Sequence, residues 1–155
     1  MQEHSFTLFA DYHQFYLRDD TTADTDGANW NDAALKARVF VAADGFAVST
    51  ARNMEVPVQV LIAEQEPPLD MGTWDHAVSF SIAAPSGRLI IAGCTDYLPD
   101  AARLTVPEGP LRVRALFAGL ETLSEDGLDG DDHYRIELWP GTPLEFAVLK
   151  SHPSS

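Results

Sequence analysis

Basic residues are scarce in this chain. Ten lysines and arginines stand against 24 aspartates and glutamates, for a formal net charge of −14. A surface that acidic repels phosphate, which argues against direct binding of nucleic acid or of an anionic membrane, and it attracts basic proteins. Cysteine is scarcer still. Cys94 stands alone, so no internal disulfide is expected and no cysteine-based zinc site can be built from it by itself. Its apolar neighbours in "LIIAGCTDY" predict a buried thiol, and this cysteine usage sets a cytoplasmic protein as the default expectation. Long apolar runs are missing, which excludes a membrane-spanning helix. The opening "MQEHSFTLFADYHQ" has neither the basic region nor the apolar stretch of a secretory signal.

Signatures of chemistry are missing as well. The five histidines, His4, His13, His76, His133 and His152, show no HxH or HExxH spacing, so no convergent metal-ligand set is expected. No Gly-rich phosphate loop and no G-x-S-x-G elbow occurs, and Cys94 has no electropositive neighbours to activate it. Two histidines follow an acid directly, at Asp75-His76 and Asp132-His133. Strand neighbours point to opposite faces, so neither dipeptide is a relay. The run "EDGLDGDDHYRIE" fails the twelve-residue calcium template. Counted from Asp126, Leu128 and Gly130 fall where oxygen ligands belong, and Asp131 falls where glycine belongs. The reading is therefore of a protein that is not an enzyme and has no cofactor, catalytic residue or metal ligand. An enzyme built on His13 or His76 is the weaker rival. A calcium- or small-ligand-binding module, using a less regular site between loops, is the stated alternative.

What the sequence does hold is strand pattern. "SFTLFADYHQFYL" alternates apolar and polar residues and is rich in aromatics, with His13 on the face of Phe15 and Leu17 and so expected to be packed and hydrogen-bonded. Asp44-Gly45 marks a hairpin turn. Val56, Val58, Val60 and Ile62 share one face of a strand whose Pro57 suits an edge or a bulge. "WDHAVSFSIAAPSGRLIIAG" reads as a hairpin around "PSG". Leu104/Val106 and Leu111/Val113/Ala115 alternate on either side of "PEGP", with Arg112 and Arg114 on the opposite face. "YRIELWP" places Tyr134, Ile136 and Leu138 together, and "LEFAVLK" closes the sheet. One short helix is expected in "NWNDAALKARVF", capped by Asn29 or Asn31 and anchored by Trp30 and Leu35. The sum is an all-β chain, an antiparallel β-sandwich of about eight to ten strands with one short helix. A closed barrel is the alternative architecture. Residues 1–150 make a single domain and 151–155 a flexible tail.

Four pieces recur together and in order: "YHQF" at Tyr12–Phe15, "W" then "DAALKA" from Trp30 to Ala37, "AADG" at Ala42–Gly45 and "ARN" at Ala51–Asn53. As a set, over roughly the first 55 residues, they resemble the competence protein J family, whose best-known members inhibit the DNA-entry nuclease of the competence system. The resemblance implies a partner rather than a reaction: a basic nuclease, bound so that its DNA cleft is blocked. The acidic charge fits that role independently. The partner-binding residues are expected in two acidic loops, at Asp19, Asp20, Asp24 and Asp26 and at Glu125, Asp126, Asp129, Asp131 and Asp132. Rim charges mainly set the on-rate, so an anchor is needed too, with Trp74, Tyr97 and Trp139 as candidates. The oligomeric state is left open.

Overall fold

The computed structural model describes residues 2–20, 31–93 and 96–152. Among these residues eleven strands form two stacked sheets, and one further segment is α-helical. The strands are β1 (Gln2–Phe9), β2 (Gln14–Asp19), β3 (Val39–Ala42), β4 (Gly45–Ser49), β5 (Glu55–Ile62), β6 (His76–Ala84), β7 (Arg88–Gly93), β8 (Ala102–Thr105), β9 (Gly109–Ala118), β10 (His133–Pro140) and β11 (Ala147–Lys150). The six-stranded sheet runs β1-β5-β10-β9-β6-β11 and the five-stranded sheet β3-β4-β2-β7-β8. All pairings are antiparallel except β5 with β10, which lie parallel from Val58↔Tyr134 to Ile62↔Leu138. The β-sandwich expected from alternation is therefore present, with more strands than counted and one parallel pair.

The alternation works as the sequence dictates. Val56, Val58, Val60 and Ile62 of β5 and Tyr134, Ile136 and Leu138 of β10 turn one face inward, against Phe15 and Leu17 of β2 and Leu89 and Ile91 of β7. Each such side chain, fully buried, contributes roughly 1.5–3 kcal/mol. Pro57 is not on an edge strand. It sits one residue before the parallel pairing with β10 begins, where no ladder donor is needed on that side. The outer face of the six-stranded sheet is also covered in part. Arg114 there is ion-paired with Glu137 and donates to the Pro67 carbonyl, with its guanidinium over the Trp139 ring.

Three expectations of connectivity change. The first aromatic segment is two strands, not one. β1 belongs to the six-stranded sheet and β2 to the five-stranded one, and the chain crosses between them through a 3₁₀ turn at Asp11–His13. Tyr12 and His13 both have positive φ, 60° and 59°, so alternation stops there. As a result His13 is exposed rather than packed on the face of Phe15 and Leu17. The "PSG" reversal is not a hairpin either: β6 pairs with β9 and β11, whereas β7 pairs with β2 and β8. "PEGP" likewise carries the chain from one sheet to the other. Turn residues mark a reversal of direction, and a reversal between sheets uses the same residues as one within a sheet.

The expected hairpin at Asp44-Gly45 is real, with Ala42 opposite Gly45. Gly45 is needed for space: a Cβ there would come within 2.6 Å of the Leu17 carbonyl oxygen. The helix α1 spans Asp32–Ala37, capped by Asn31, whose side chain accepts from the Ala34 amide at 2.9 Å. Ala34 and Ala37 face the core, and Leu35, expected as an anchor, is 54% exposed. Trp30 and Asn29 lie outside the described residues, as does Cys94.

Candidate functional site

The strand directions define two ends of the sandwich. β2 starts at Gln14 opposite Ser49 and ends at Asp19 beside Leu89. β9 runs the other way, from Gly109 opposite Ala84 to Ala118 opposite His133. One end therefore gathers the Tyr12–His13 turn, residues 50–54, Trp74 and the loop 119–132. The far end gathers Asp19, Asp20, Gly45 and Ser86.

At the first end a buried polar cluster fixes the start of β10. Asp132 is wholly buried and ion-paired with the Arg52 guanidinium. The Tyr134 hydroxyl donates to the second Asp132 oxygen and accepts from the Ala51 amide at 2.8 Å. Burial, reinforced by that carboxylate, holds the phenol protonated far above its ordinary range. The cluster joins residues about eighty positions apart in sequence. It also links to the neighbouring turn. The Asn53 side-chain Oδ1 accepts from the His13 amide, and the Thr50 amide donates to the His13 carbonyl at 2.8 Å. "YHQF" and "ARN" thus meet in space, and their shared work is to hold two left-handed residues in a crossover.

The loop 119–132 is tied internally. Gly119 has φ 69°, and a Cβ on it would lie 2.4 Å from the Asp131 carbonyl oxygen, so the two limbs meet at the loop's base. Thr122 Oγ1 accepts from the Asp131 amide and donates to the Gly119 carbonyl. The Ser124 amide donates to the Asp129 carbonyl, and the Ser124 hydroxyl donates to Asp126 at 2.6 Å. Those bonds, the Ser124 hydroxyl first and the Leu128 amide next, hold the Asp126 carboxyl below its ordinary value. The carboxylates of Glu125, Asp129 and Asp131 are exposed and hydrogen-bond no described residue.

Beside the loop opens a cleft of about 440 Å³, lined by Arg52, Gln59, Trp74, Asp131, His133 and Tyr134 among others. Trp74 is half-buried and meets the His133 ring edge-on, with centroids 5.7 Å apart. Arg52 uses its Nε on Asp132, and its terminal nitrogens hydrogen-bond no described residue.

Of the nine carboxylates expected to meet a partner, the seven among the described residues do not form one surface. Asp19 is wholly buried at the far end and accepts from the Ser86 amide and hydroxyl. Asp20 is ion-paired there with Arg88 and Arg103. Asp132 is buried in the cluster just described. Burial removes Asp19 and Asp132 from direct contact with a partner. Asp24 and Asp26 lie outside the described residues. Glu125, Asp126, Asp129 and Asp131 are exposed together on the loop 119–132. Of the candidate anchors, Trp74 lines the cleft and Tyr97 is 70% exposed, whereas Trp139 is buried against Arg114 and unavailable. Sequence reading missed Arg52. Its only signal was its place in "ARN", and its partner is 80 residues away.

Among the described residues neither His13 nor His76 hydrogen-bonds a carboxylate through its ring. His13 Nδ1 faces the Thr50 carbonyl. His76 is wholly buried, with Nε2 at 2.7 Å from the Ala37 carbonyl and Nδ1 accepting from the His152 amide. His152, in the segment 151–155 expected as a flexible tail, has its ring nitrogen 2.8 Å from Glu121. Among the described residues no group of three or more His, Cys, Asp or Glu could hold a metal ion. No helix among them is long and apolar enough to cross a membrane.

No protein-family model matches this chain, and no curated protein matches it. Solved structures do. ComJ from Bacillus subtilis, an inhibitor of the DNA-degrading activity of NucA, superposes with a TM-score of 0.67 over 91% of this chain and 96% of its own, at 14% identity. The chain has the fold of ComJ. The protein of crocagin biosynthetic gene J shares it too, with a TM-score of 0.62 over 92% of this chain and 100% of its own, at 21% identity.

Proposed function

We propose that this protein is an acidic inhibitor that binds a basic nuclease and blocks its DNA cleft. The observation that carries the reading is the near-complete overlap of fold with ComJ, an inhibitor of a DNA-degrading protein. The charge supports it on separate grounds. A nuclease must present cations to DNA, and a chain of net charge −14 competes for those same cations. The loop 119–132 suits the contact because its hydrogen bonds already fix its shape, so little ordering entropy is lost on docking. Its exposed Glu125, Asp129 and Asp131 then stand where phosphates would otherwise lie.

The test mixes the protein with a basic DNA-entry nuclease and follows DNA cleavage at low and high salt. Cleavage falls at low salt as inhibitor is added, and the inhibition weakens as salt screens the charges. Undiminished cleavage at both salt concentrations would sink the reading.

A further inference from the structure

We propose that the cleft beside Trp74 is a socket for one basic side chain, arginine above all, of a protein partner. The inference rests on the inhibitor reading for the partner's identity, and on the cleft's own chemistry for the ligand. Steering by exposed carboxylates speeds encounter, but affinity comes from a desolvated anchor. The loop supplies the first, and the cleft has the features of the second.

Its charge balance favours a cation. Asp132 cancels Arg52 at the base of the cleft. That leaves Asp131, whose carboxylate hydrogen-bonds no described residue, as the remaining acidic residue of the lining. Trp74 adds an indole beside it, half-buried and therefore partly desolvated. A guanidinium placed against an indole and paired with a carboxylate gains from both at once. The volume of about 440 Å³ is at the small end for a ligand site and accommodates one long side chain. Arg52 also has a task that its ion pair does not exhaust. Its terminal nitrogens remain as donors, and they suit a main-chain carbonyl of the segment that delivers the basic residue. An anionic ligand would use the same donors, but it would meet Asp131 and the net charge of −14.

The experiment uses the full chain and two blocked tripeptides, Gly-Arg-Gly and Gly-Glu-Gly, followed by the NMR signal of the Trp74 indole. That signal is assigned by its loss in Trp74→Phe. The arginine peptide shifts it saturably in the range of about 1–10 mM, as a single weak contact should. Asp131→Asn weakens the binding by about 5-fold, and Asp20→Asn at the far end leaves it unchanged. No shift, or a larger shift with the glutamate peptide, overturns the socket. The two proposals fail separately. Arginine binding without inhibition of any nuclease keeps the socket and removes its assigned partner. Inhibition that neither Trp74→Phe nor Asp131→Asn alters keeps the inhibitor and removes the socket.

Discussion

The two ends of the sandwich hold carboxylates that look alike in sequence and behave differently in the fold. At the far end Asp19 is buried on Ser86, and Asp20 lies between Arg88 and Arg103. At the cleft end Glu125, Asp129 and Asp131 face solvent with no described partner. A net charge counts carboxylates but not their engagements. A carboxylate that already holds a turn or a guanidinium offers little to a second protein. The end that can meet a basic partner is the one whose loop satisfies its backbone through Thr122 and Ser124 and leaves its acids over.

The largest contrast between the ends lies in their arginines. Arg52→Ala removes the one ion-pair partner that a wholly buried carboxylate has among the described residues. Leaving Asp132 charged and unpaired should destabilise the fold by about 3–5 kcal/mol. Arg88, 60% exposed and paired with Asp20, should cost less than about 1 kcal/mol when changed to alanine. Urea melts of the two variants measure both. Equal losses would mean that the cluster at the cleft end is no more structural than a surface pair.

A second contrast lies in association. Changing Glu125→Gln, Asp129→Asn and Asp131→Asn together removes three exposed charges whose carboxylates bond no described residue. Stability should stay within about 0.5 kcal/mol. The association rate with a basic nuclease at low salt should fall by about 10-fold, and the difference should close as salt rises. Asp20→Asn, by contrast, should leave the rate where it was. A rate that responds equally to Asp20 would place the contact surface on both ends.

The difference between the ends was only half legible in the sequence. Alternation at Val56–Ile62 and Tyr134–Leu138 revealed the strands and their inner faces, because period-2 burial is a local property. Which sheet each strand joins is not local: "PSG" gives β6 and β7 opposite directions in either arrangement. Acidic residues were visible one by one, but their engagements were not. Asp132 follows Asp131 directly, and one is buried while the other is exposed, because the entry into β10 turns alternate side chains to opposite faces. Its partner Arg52 lies just before β5, and the parallel register of β5 and β10 brings the starts of the two strands to the same end of the sheet.

The smallest expected effect is a pH dependence confined to the cleft end. His76 is held neutral, with Nε2–H donating to the Ala37 carbonyl and Nδ1 accepting from the His152 amide. Burial is the main cause that lowers its pKa below the ordinary value of 6.5. The Ala37 carbonyl opposes the shift, and the charges of Arg38 and His152 add to it. Below pH 6.5 the unfolded chain therefore binds a proton that the folded chain resists. The contribution of His76 to stability is complete above that pH and is lost as pH falls towards the folded-state value. His76→Gln can keep a donor to Ala37 and an acceptor for His152 without titrating. The stability gap between the wild type and this variant, from urea melts at pH 7.5, 6.5 and 5.5, should narrow as pH falls. A gap that stays constant would mean that His76 takes up its proton equally in both states, and that the latch from β6 to His152 does not depend on a neutral ring.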